Sequence, residues 1–453
     1  MSKLRCDICG GQIEMQPDKR GLCLNCDTSY SLATMKEMFS GVKVSVTGSN
    51  EDVEQWREIL DRYYAAGDFA EAERIVKKIL EAVPSDERAN SMYDDLQILK
   101  HFDVKNGVIQ SYSGTAKVIS IPDVIHEIEA GTFKGNRYLE EVILPDSITS
   151  IESSLFAECK NLKRIKLPSN LKTISASAFE SCNALTEAII PNSVTFIGTN
   201  AFCGCTKLRG DIRLSNITSI ESGIFSDCAN LTSVVIPSNI ASIGNAAFKN
   251  CFALTSATIS DGVTSIGDSA FSGCCKLENI VIPDSVTSIG QGVFSNCSTF
   301  TNIKIPSRIT NISNSVFSGC DSLKEIVLPS TLKAIGNFAF SGCQSLSSIE
   351  IPYGVKAIGY GAFSGCKSLR RLTIPVSVTQ IETGYREWSS WCSNPPFNGC
   401  DYLEHIEYPD RFADNVFVGS RFYAVREERK KKGLCPNCGG KLSFWNGRCS
   451  RCG

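Results

Sequence analysis

The chain has 453 residues, of which 42% are hydrophobic and 21% charged, and its formal net charge is −2. This length exceeds that of one compact core, so we expect several domains or a repeat array. The nearly balanced charge excludes a global electrostatic attraction to nucleic acid or to an anionic membrane.

The sequence predicts a cytoplasmic protein without a membrane partner. The first residues lack the apolar core of a secretory signal, and no stretch reaches the roughly 18 apolar residues of a membrane span. The 22 cysteines should therefore be reduced, so disulfides do not explain them. The sequence has no Walker, nucleophile-elbow or HExxH motif, and its three histidines are isolated, so we expect no enzymatic activity.

Each end of the chain carries two C-x-x-C pairs, within residues 1–40 and 434–453. Four thiolates on such tight turns suit tetrahedral Zn²⁺, and both segments resemble zinc ribbons, the first followed by a linker. Redox chemistry is the alternative, but it favours one pair in a βαβ setting. Because protein would fill all four positions at each site, we expect two structural zinc ions. The predicted ligands are Cys6, Cys9, Cys23, Cys26, Cys435, Cys438, Cys449 and Cys452.

Residues 51–101 are charged, poor in proline and periodic at helical spacing. Trp56, Tyr63 and Pro84 match the spacing of a tetratricopeptide helical hairpin, which this segment resembles. We expect a third helix from Ser85 to His101, with Ser85 as its N-cap. Because a single unit rarely forms a binding groove, two interpretations remain open, a tetratricopeptide-like unit and a packing or spacing element before the solenoid.

Residues 105–412 form a repeat array with a period of 23 residues. The pattern predicts a leucine-rich-repeat solenoid of about 12 coils. We expect a parallel β-sheet on its concave face and short turns or 3₁₀-helices elsewhere. One coil buries too little apolar surface to offset the entropy of ordering its backbone, so neighbouring coils must stack. Three columns keep the interval, running from Phe133 to Phe363, from Cys159 to Cys366 and from Ile128 to Ile381.

The amino-acid sequence of the repeats resembles that of a known family. The segments Ala270–Cys274 (AFSGC) and Ser285–Gly290 (SVTSIG) are similar to the BspA-type family of bacterial leucine-rich repeats, over roughly residues 105–410. Many such proteins look like surface adhesins. The resemblance implies a fold far more directly than it implies a function.

The cysteine column has three possible explanations. Small buried thiols that fill a narrow corner of each coil are the simplest. Disulfides between neighbouring coils are compatible with the spacing of strands, but a reducing compartment disfavours them. A metal-binding ladder would need a ligand geometry that a regular stack does not offer. We therefore expect the column to be structural.

Alternation along each strand places one column of side chains outward at every 23rd position. Its β-branched members either form a partner surface or reflect the preference of strands for such residues. Near Gly210 the apolar positions slip by one residue, which predicts a bulge; Ile212 then either stays in the outward column or, if the bulge shifts the register, points inward. The candidate partner-binding residues of this column are Ile143, Ile189, Val235, Val281 and Val327.

The last repeat contains an 11-residue insertion at about 382–395, since 34 residues separate Phe363 from Phe397. Aromatic side chains on a loop anchored by a rigid scaffold favour a binding hot spot. The alternative is a lid over the open end of the solenoid. The candidate residues are Tyr385, Trp388 and Trp391.

Residues 413–433 are expected to form a C-terminal cap and a basic linker. A basic run beside a zinc ribbon can contact nucleic acid, and a solvated linker is the alternative. The leading hypothesis is therefore a non-enzymatic scaffold for a protein partner of unknown identity. The second hypothesis is a nucleic-acid-associated protein that binds through the C-terminal ribbon and its linker.

Overall fold

The computed structural model describes residues 50–383, 395–412, 414–432 and 434–436, together with the backbone of five strands outside these ranges. The first three of these strands pair in an antiparallel sheet in chain order, and the last two form an antiparallel hairpin. They are β1 (Ile13–Met15), β2 (Gly21–Cys23), β3 (Ser29–Tyr30), β28 (Tyr385–Glu387) and β29 (Ser390–Cys392).

The chain divides into two compact units. The first comprises Met1–Phe133 and Tyr138–Thr149, and the second comprises Lys134–Arg137 and Ser150–Gly453. No helix among the described residues is both long and apolar enough to cross a membrane.

Three helices occupy the predicted helical segment: α1 (Asn50–Ala66), α2 (Phe69–Ala82) and α3 (Glu87–Leu99). Their shared core is aliphatic because apolar residues recur at helical spacing, and Leu60 and Ile79 lie fully inside it. The expected N-cap was wrong by one residue.

Asp86, and not Ser85, caps α3. Its carboxylate accepts the backbone N–H of Ala89 at 2.8 Å, and it also pairs with Arg57 at an Nη2–Oδ2 distance of 2.6 Å. Asp86 is buried, so the arginine supplies the charge partner that a buried carboxylate needs. Asp86 also lies at the N-terminus of α3, where the helix dipole stabilises its negative charge.

An antiparallel hairpin, β4 (Phe102–Lys105) and β5 (Val108–Tyr112), follows the helices within the first unit. Both turn residues between these strands, Asn106 and Gly107, have positive φ, as a tight hairpin turn requires. Phe102 and Tyr112 pack on Phe133, the first ring of the phenylalanine column, with centroids 6.0 and 5.3 Å away. The hairpin thus covers this ring with aromatic side chains.

Most coils contribute one long strand of three or four residues, and these strands pair in parallel; the coil of Glu187 has only a one-residue bridge to Arg164. Within the second unit, strand residues pair with those 23 positions later, as Val235 does with Thr258, except that Asp211 pairs with Ser233 and Arg371 with His405. Alternate side chains point inward, and in the clearest case Val234 and Ile236 are buried while Val235 is exposed. These long strands are β6 (Val118–Ser120), β8 (Glu141–Ile143), β10 (Arg164–Lys166), β13 (Asp211–Arg213), β14 (Ser233–Ile236), β16 (Ser256–Ile259), β18 (Asn279–Val281), β20 (Asn302–Lys304), β22 (Glu325–Val327), β24 (Ser348–Glu350), β26 (Arg371–Thr373) and β30 (His405–Glu407).

In the second unit, two-residue strands that carry the isoleucine column pair in a second parallel ladder, while Glu127–Ile128 of the first unit pairs with β5. In the described part of the solenoid the remaining residues form turns and irregular segments, and this ladder stands where we expected only short turns or 3₁₀-helices. It forms because each isoleucine is directed inward while its neighbour stays at the surface. The short strands are β7 (Glu127–Ile128), β9 (Ser150–Ile151), β11 (Thr173–Ile174), β12 (Phe196–Ile197), β15 (Ser242–Ile243), β17 (Ser265–Ile266), β19 (Ser288–Ile289), β21 (Asn311–Ile312), β23 (Ala334–Ile335), β25 (Ala357–Ile358) and β27 (Gln380–Ile381).

The phenylalanine column forms one continuous stack of rings from Phe156 to Phe397. Successive centroids are 5.1–6.0 Å apart and the ring planes differ by only 3–16°. Each buried ring contributes roughly 1.5–3 kcal/mol by leaving water. The stack confirms the predicted repeat and its period.

Every cysteine of the column from Cys182 to Cys400 has the same hydrogen bond. Its S–H donates to the phenylalanine carbonyl of the preceding coil, with Sγ–O distances of 3.0–3.2 Å. Burial raises the pKa of Cys274 to about 12, so that thiol stays protonated and can donate. These cysteines are unbridged, as expected for a structural column. A thiol is small and apolar enough for the corner, yet it also satisfies a buried carbonyl.

The structure contains the predicted one-residue shift of the apolar positions near Gly210. Gly210 has a φ of +94°, a backbone conformation that glycine adopts at little cost. Ile212 lies opposite the inward Val234 and is 5% exposed, so it points inward as the displaced pattern predicts. In the backbone register Arg213 pairs with Val235.

The last turn of the solenoid ends in a 3₁₀-helix, η1 (Asp414–Phe417), and a helix, α4 (Arg421–Lys431). Phe417 adds one more ring beyond Phe397, at a centroid distance of 5.4 Å. Ser420 stands three places later, where the repeat has cysteine, and its oxygen accepts the N–H of Tyr423 at 3.2 Å. A serine at this position therefore caps a helix, and the coils end there.

Replacing Phe271 with alanine should lower the free energy of unfolding by about 3–5 kcal/mol, because the change removes a fully buried ring and its two stacking contacts. Urea unfolding followed by circular dichroism measures the loss. Phe252→Ala is the matched control, since Phe252 is 47% exposed in the neighbouring coil and should cost less than about 1 kcal/mol. Equal losses in the two variants would contradict a structural role for the stack.

The adjacent residues Cys274 and Cys275 offer an internal comparison of thiol reactivity. Cys274 is fully buried and hydrogen-bonded, whereas Cys275 is only partly buried. In the folded protein at pH 8, N-ethylmaleimide should modify Cys275 and spare Cys274, because a buried protonated thiol is inert. Peptide mass spectrometry locates the label, and denaturant should abolish the difference. Equal labelling of the folded protein would be evidence against the thiol ladder.

Candidate partner-binding surface

The long strands of the second unit present two outward rows of side chains, which we call the long-strand face. Because side chains alternate along a strand, the residues on either side of each buried central position point to this face. One row follows Arg164, Glu187 and Ser256, and the other follows Ile189, Val235 and Val281. The ladder holds both rows at the regular spacing of neighbouring strands, about 4.8 Å.

Four of the five predicted column residues are strongly exposed. Ile189 is 73% exposed, Val235 is 55% exposed, and Val281 and Val327 are each 74% exposed. Ile143, which lies in the first unit, is half-buried. Large apolar side chains at this level of exposure are unfavourable in water and are typical of interaction surfaces.

The apolar column is interrupted at alternate coils. Thr258, Lys304 and Glu350 follow Val235, Val281 and Val327 in successive coils, so this part of the row alternates between apolar and polar side chains. The surface therefore offers spaced apolar contacts with polar groups between them. Such a mixture is usual for an interface that forms between two independently soluble partners.

A depression lies at one edge of the long-strand face, with a volume of about 350 Å³. Val327, Glu350, Pro352 and Tyr353 line it, and the Tyr353 side chain is 74% exposed. Val376 occupies the equivalent position of the next coil and is 60% exposed. Tyr353 and Val376 were not predicted from the alternation of strand residues, because both lie beyond the strand ends. The available signal was an apolar residue directly after the strand-ending proline.

The charged groups of this region differ in their partners. Lys304 lies 3.8 Å from Asp284, and Thr373 donates to Glu407 at 3.4 Å. Among the described residues, Glu350 has no basic group within ion-pair distance. The depression therefore contains an exposed carboxylate that forms no ion pair with the described part of the chain.

The aromatic insertion is described only in part. Tyr385 and Trp391 lie in the strands of the hairpin β28–β29, of which the backbone alone is described, and Trp388 lies outside the described residues. The end of the phenylalanine stack is covered by other groups. Tyr408 lies 4.6 Å and Phe422 5.5 Å from the Phe417 ring, measured between centroids.

Most of the predicted zinc ligands lie outside the described residues. Cys435 is buried, and Cys23 lies in β2, of which only the backbone is described. No group of three or more metal-ligating side chains occurs where side chains are described. The two zinc sites stay predictions. The undescribed ligands are Cys6, Cys9, Cys26, Cys438, Cys449 and Cys452.

The basic linker is largely helical. In α4, Lys430 pairs with Glu427 at 2.8 Å and Lys432 with Glu428 at 2.7 Å. Arg429 donates to the carbonyl oxygen of Pro436 at 3.3 Å, which links the helix to the start of the C-terminal segment. Basic residues in the last turn also compensate the negative end of the helix dipole.

Comparisons with known proteins agree with this geometry. The family model described as the BspA type leucine rich repeat region matches residues 109–222, 210–321 and 264–385. A leucine-rich repeat protein from Bacteroides ovatus ATCC 8483 is 27% identical, with a TM-score of 0.51 over 70% of this chain and 93% of that chain.

Two further solved structures are similar. The pneumococcal vaccine antigen PcpA is 21% identical, with a TM-score of 0.50 over 70% of this chain and 85% of that chain. A leucine rich cell surface protein from Faecalibacterium prausnitzii A2-165 is 27% identical, with a TM-score of 0.42 over 69% of this chain and 93% of that chain. No curated protein matches.

Proposed function

The chain belongs to the BspA-type leucine-rich-repeat family, and from this membership we propose that it is a non-enzymatic scaffold that binds a protein partner through its long-strand face. The observation that carries the proposal is the strong exposure of Ile189, Val235, Val281 and Val327 on one face. These side chains leave water only when a partner covers them.

The rigidity of the ladder favours binding. Strand pairing and the phenylalanine stack hold the outward side chains in place before a partner arrives, so little conformational entropy is lost on association. Strand preference alone accounts for β-branched residues at these positions, but Thr258 shows that a polar β-branched residue serves equally well there. The aliphatic choice at four coils is therefore better explained by contact with a partner.

We extend the proposal to the two terminal segments, the aromatic insertion and the cellular location. We propose that the two terminal segments each bind one structural zinc ion and that the protein is cytoplasmic. Tyr385, Trp388 and Trp391 would add a second contact region. The cap formed by Tyr408, Phe417 and Phe422 supports this role, because it already covers the end that a lid would cover.

Nucleic-acid binding through the C-terminal linker is the weaker alternative. Glu427 and Glu428 form ion pairs with two lysines of the linker. The basic residues of the last turn interact favourably with the negative end of the helix dipole. The compensated linker would neutralise fewer phosphates than its count of basic residues suggests.

The double variant Val235→Ser/Val281→Ser should lose at least about tenfold in partner capture, because it removes two apolar anchors from the face. Affinity purification from the native host, quantified by mass spectrometry, measures the loss. Ser256→Ala/Asn302→Ala alters exposed polar positions of the same face and should retain capture. Thermal unfolding should be nearly unchanged in both variants. Undiminished capture by the valine variant would rule out this face.

Purified protein should contain two zinc ions per chain by inductively coupled plasma mass spectrometry, since eight thiolates are available in two sets of four. Cys435→Ser should reduce the content to one ion. Cys182→Ser, a change in the solenoid column, should leave both ions in place. A zinc content near zero in the unaltered protein would refute both sites.

A further inference from the structure

We propose that the depression beside Val327, Glu350 and Tyr353 receives a lysine or arginine side chain of the protein partner. The inference rests on the proposed function, because it specifies the chemistry of a partner that lies on the long-strand face. It commits the partner to a basic residue at one defined place on that face.

The walls of the depression suit a long aliphatic stem. Val327 comes from β22, while Pro352 and Tyr353 follow β24 in the next coil, and all three line the same space of about 350 Å³. Val327 and Tyr353 are each 74% exposed, so their apolar surfaces are available for contact. Lysine and arginine bury their methylene groups along such surfaces while their charged ends remain solvated or paired.

The charged end would meet the Glu350 carboxylate. This group lies in the same depression, is exposed, and has no cationic neighbour within ion-pair distance among the described residues. The neighbouring Tyr353 ring also attracts a cation through its π face. A partner carboxylate would be repelled there, and an apolar occupant would strip water from Glu350 without giving it a partner.

The combination is specific to one coil. The places equivalent to Glu350 and Tyr353 hold Val327 and Ser330 in the preceding coil, and Thr373 and Val376 in the following coil. No other coil that the structure describes has a carboxylate and an aromatic ring at these two places. Repeat stacking does not require either residue, since both are exposed.

A peptide library displayed on phage and selected on the full-length protein tests the inference. Peptides whose binding is reduced by Val235→Ser/Val281→Ser lie on the long-strand face, and these should carry a conserved lysine or arginine. Replacing that residue with glutamine in a synthetic peptide should weaken binding about tenfold, as expected for one ion pair combined with one cation–π contact. Fluorescence anisotropy measures the affinities.

Variants of the protein separate the contribution of the ion pair from that of the cation–π contact. Glu350→Gln should weaken binding of the basic peptide about two- to fivefold, because it removes the ion pair and keeps the Tyr353 ring, whereas Glu187→Gln, a change of an exposed carboxylate far along the same face, should leave it unchanged. Tyr353→Phe should retain affinity and Tyr353→Leu should lose it, since only the former keeps the π face. Selection on Glu350→Lys should enrich acidic peptides instead.

The outcomes distinguish this inference from the proposed function. Peptides that need Val235 and Val281, yet bind equally well after the lysine or arginine change and after Glu350→Gln, would overturn the inference alone. Failure to enrich any peptide that depends on the long-strand face would overturn both.

Discussion

The structure depends on one constraint, which is that each coil must return its phenylalanine to the same place. Only then does the ring stack on its neighbour at 5.1–6.0 Å and the carbonyl of that residue meet the thiol of the next coil. The buried turn has no water to satisfy its polar groups, so the thiol and the backbone N–H must do so. Every coil therefore keeps its length of 23 residues or loops the excess outside.

This constraint explains why the repeat could be predicted from the sequence. The interior of every coil has the same shape, so phenylalanine, cysteine and isoleucine recur in register. The slip at Gly210 was also visible, because Ile212 and Leu214 occupy apolar positions one place late. The second ladder could not be predicted from the sequence, because a short turn and a two-residue strand have the same spacing of apolar residues. The cap of α3 depended on Arg57, a residue distant in sequence from Asp86.

The candidate site was predictable only where it follows the repeat. Val235, Val281 and Val327 belong to a column, and their exposure could be deduced from alternation. Glu350 stands in the same column but breaks its apolar pattern, and Tyr353 lies outside the strand columns, because packing places no demand on an exposed residue. Their proximity in one depression becomes evident only when the coils are stacked. The zinc ligands were predicted from spacing alone, and that prediction stays untested.

The insertion shows what the stack permits. Phe363 and Phe397 keep a centroid distance of 5.6 Å and nearly parallel rings, and the Phe363 N–H still reaches the carbonyl of Pro396 at 2.8 Å. The extra residues leave and rejoin the coil without changing these contacts. The stack thus constrains the two ends of the inserted segment and not the number of residues between them. A reporter domain inserted between Phe363 and Phe397 would leave the stacked coils unaltered.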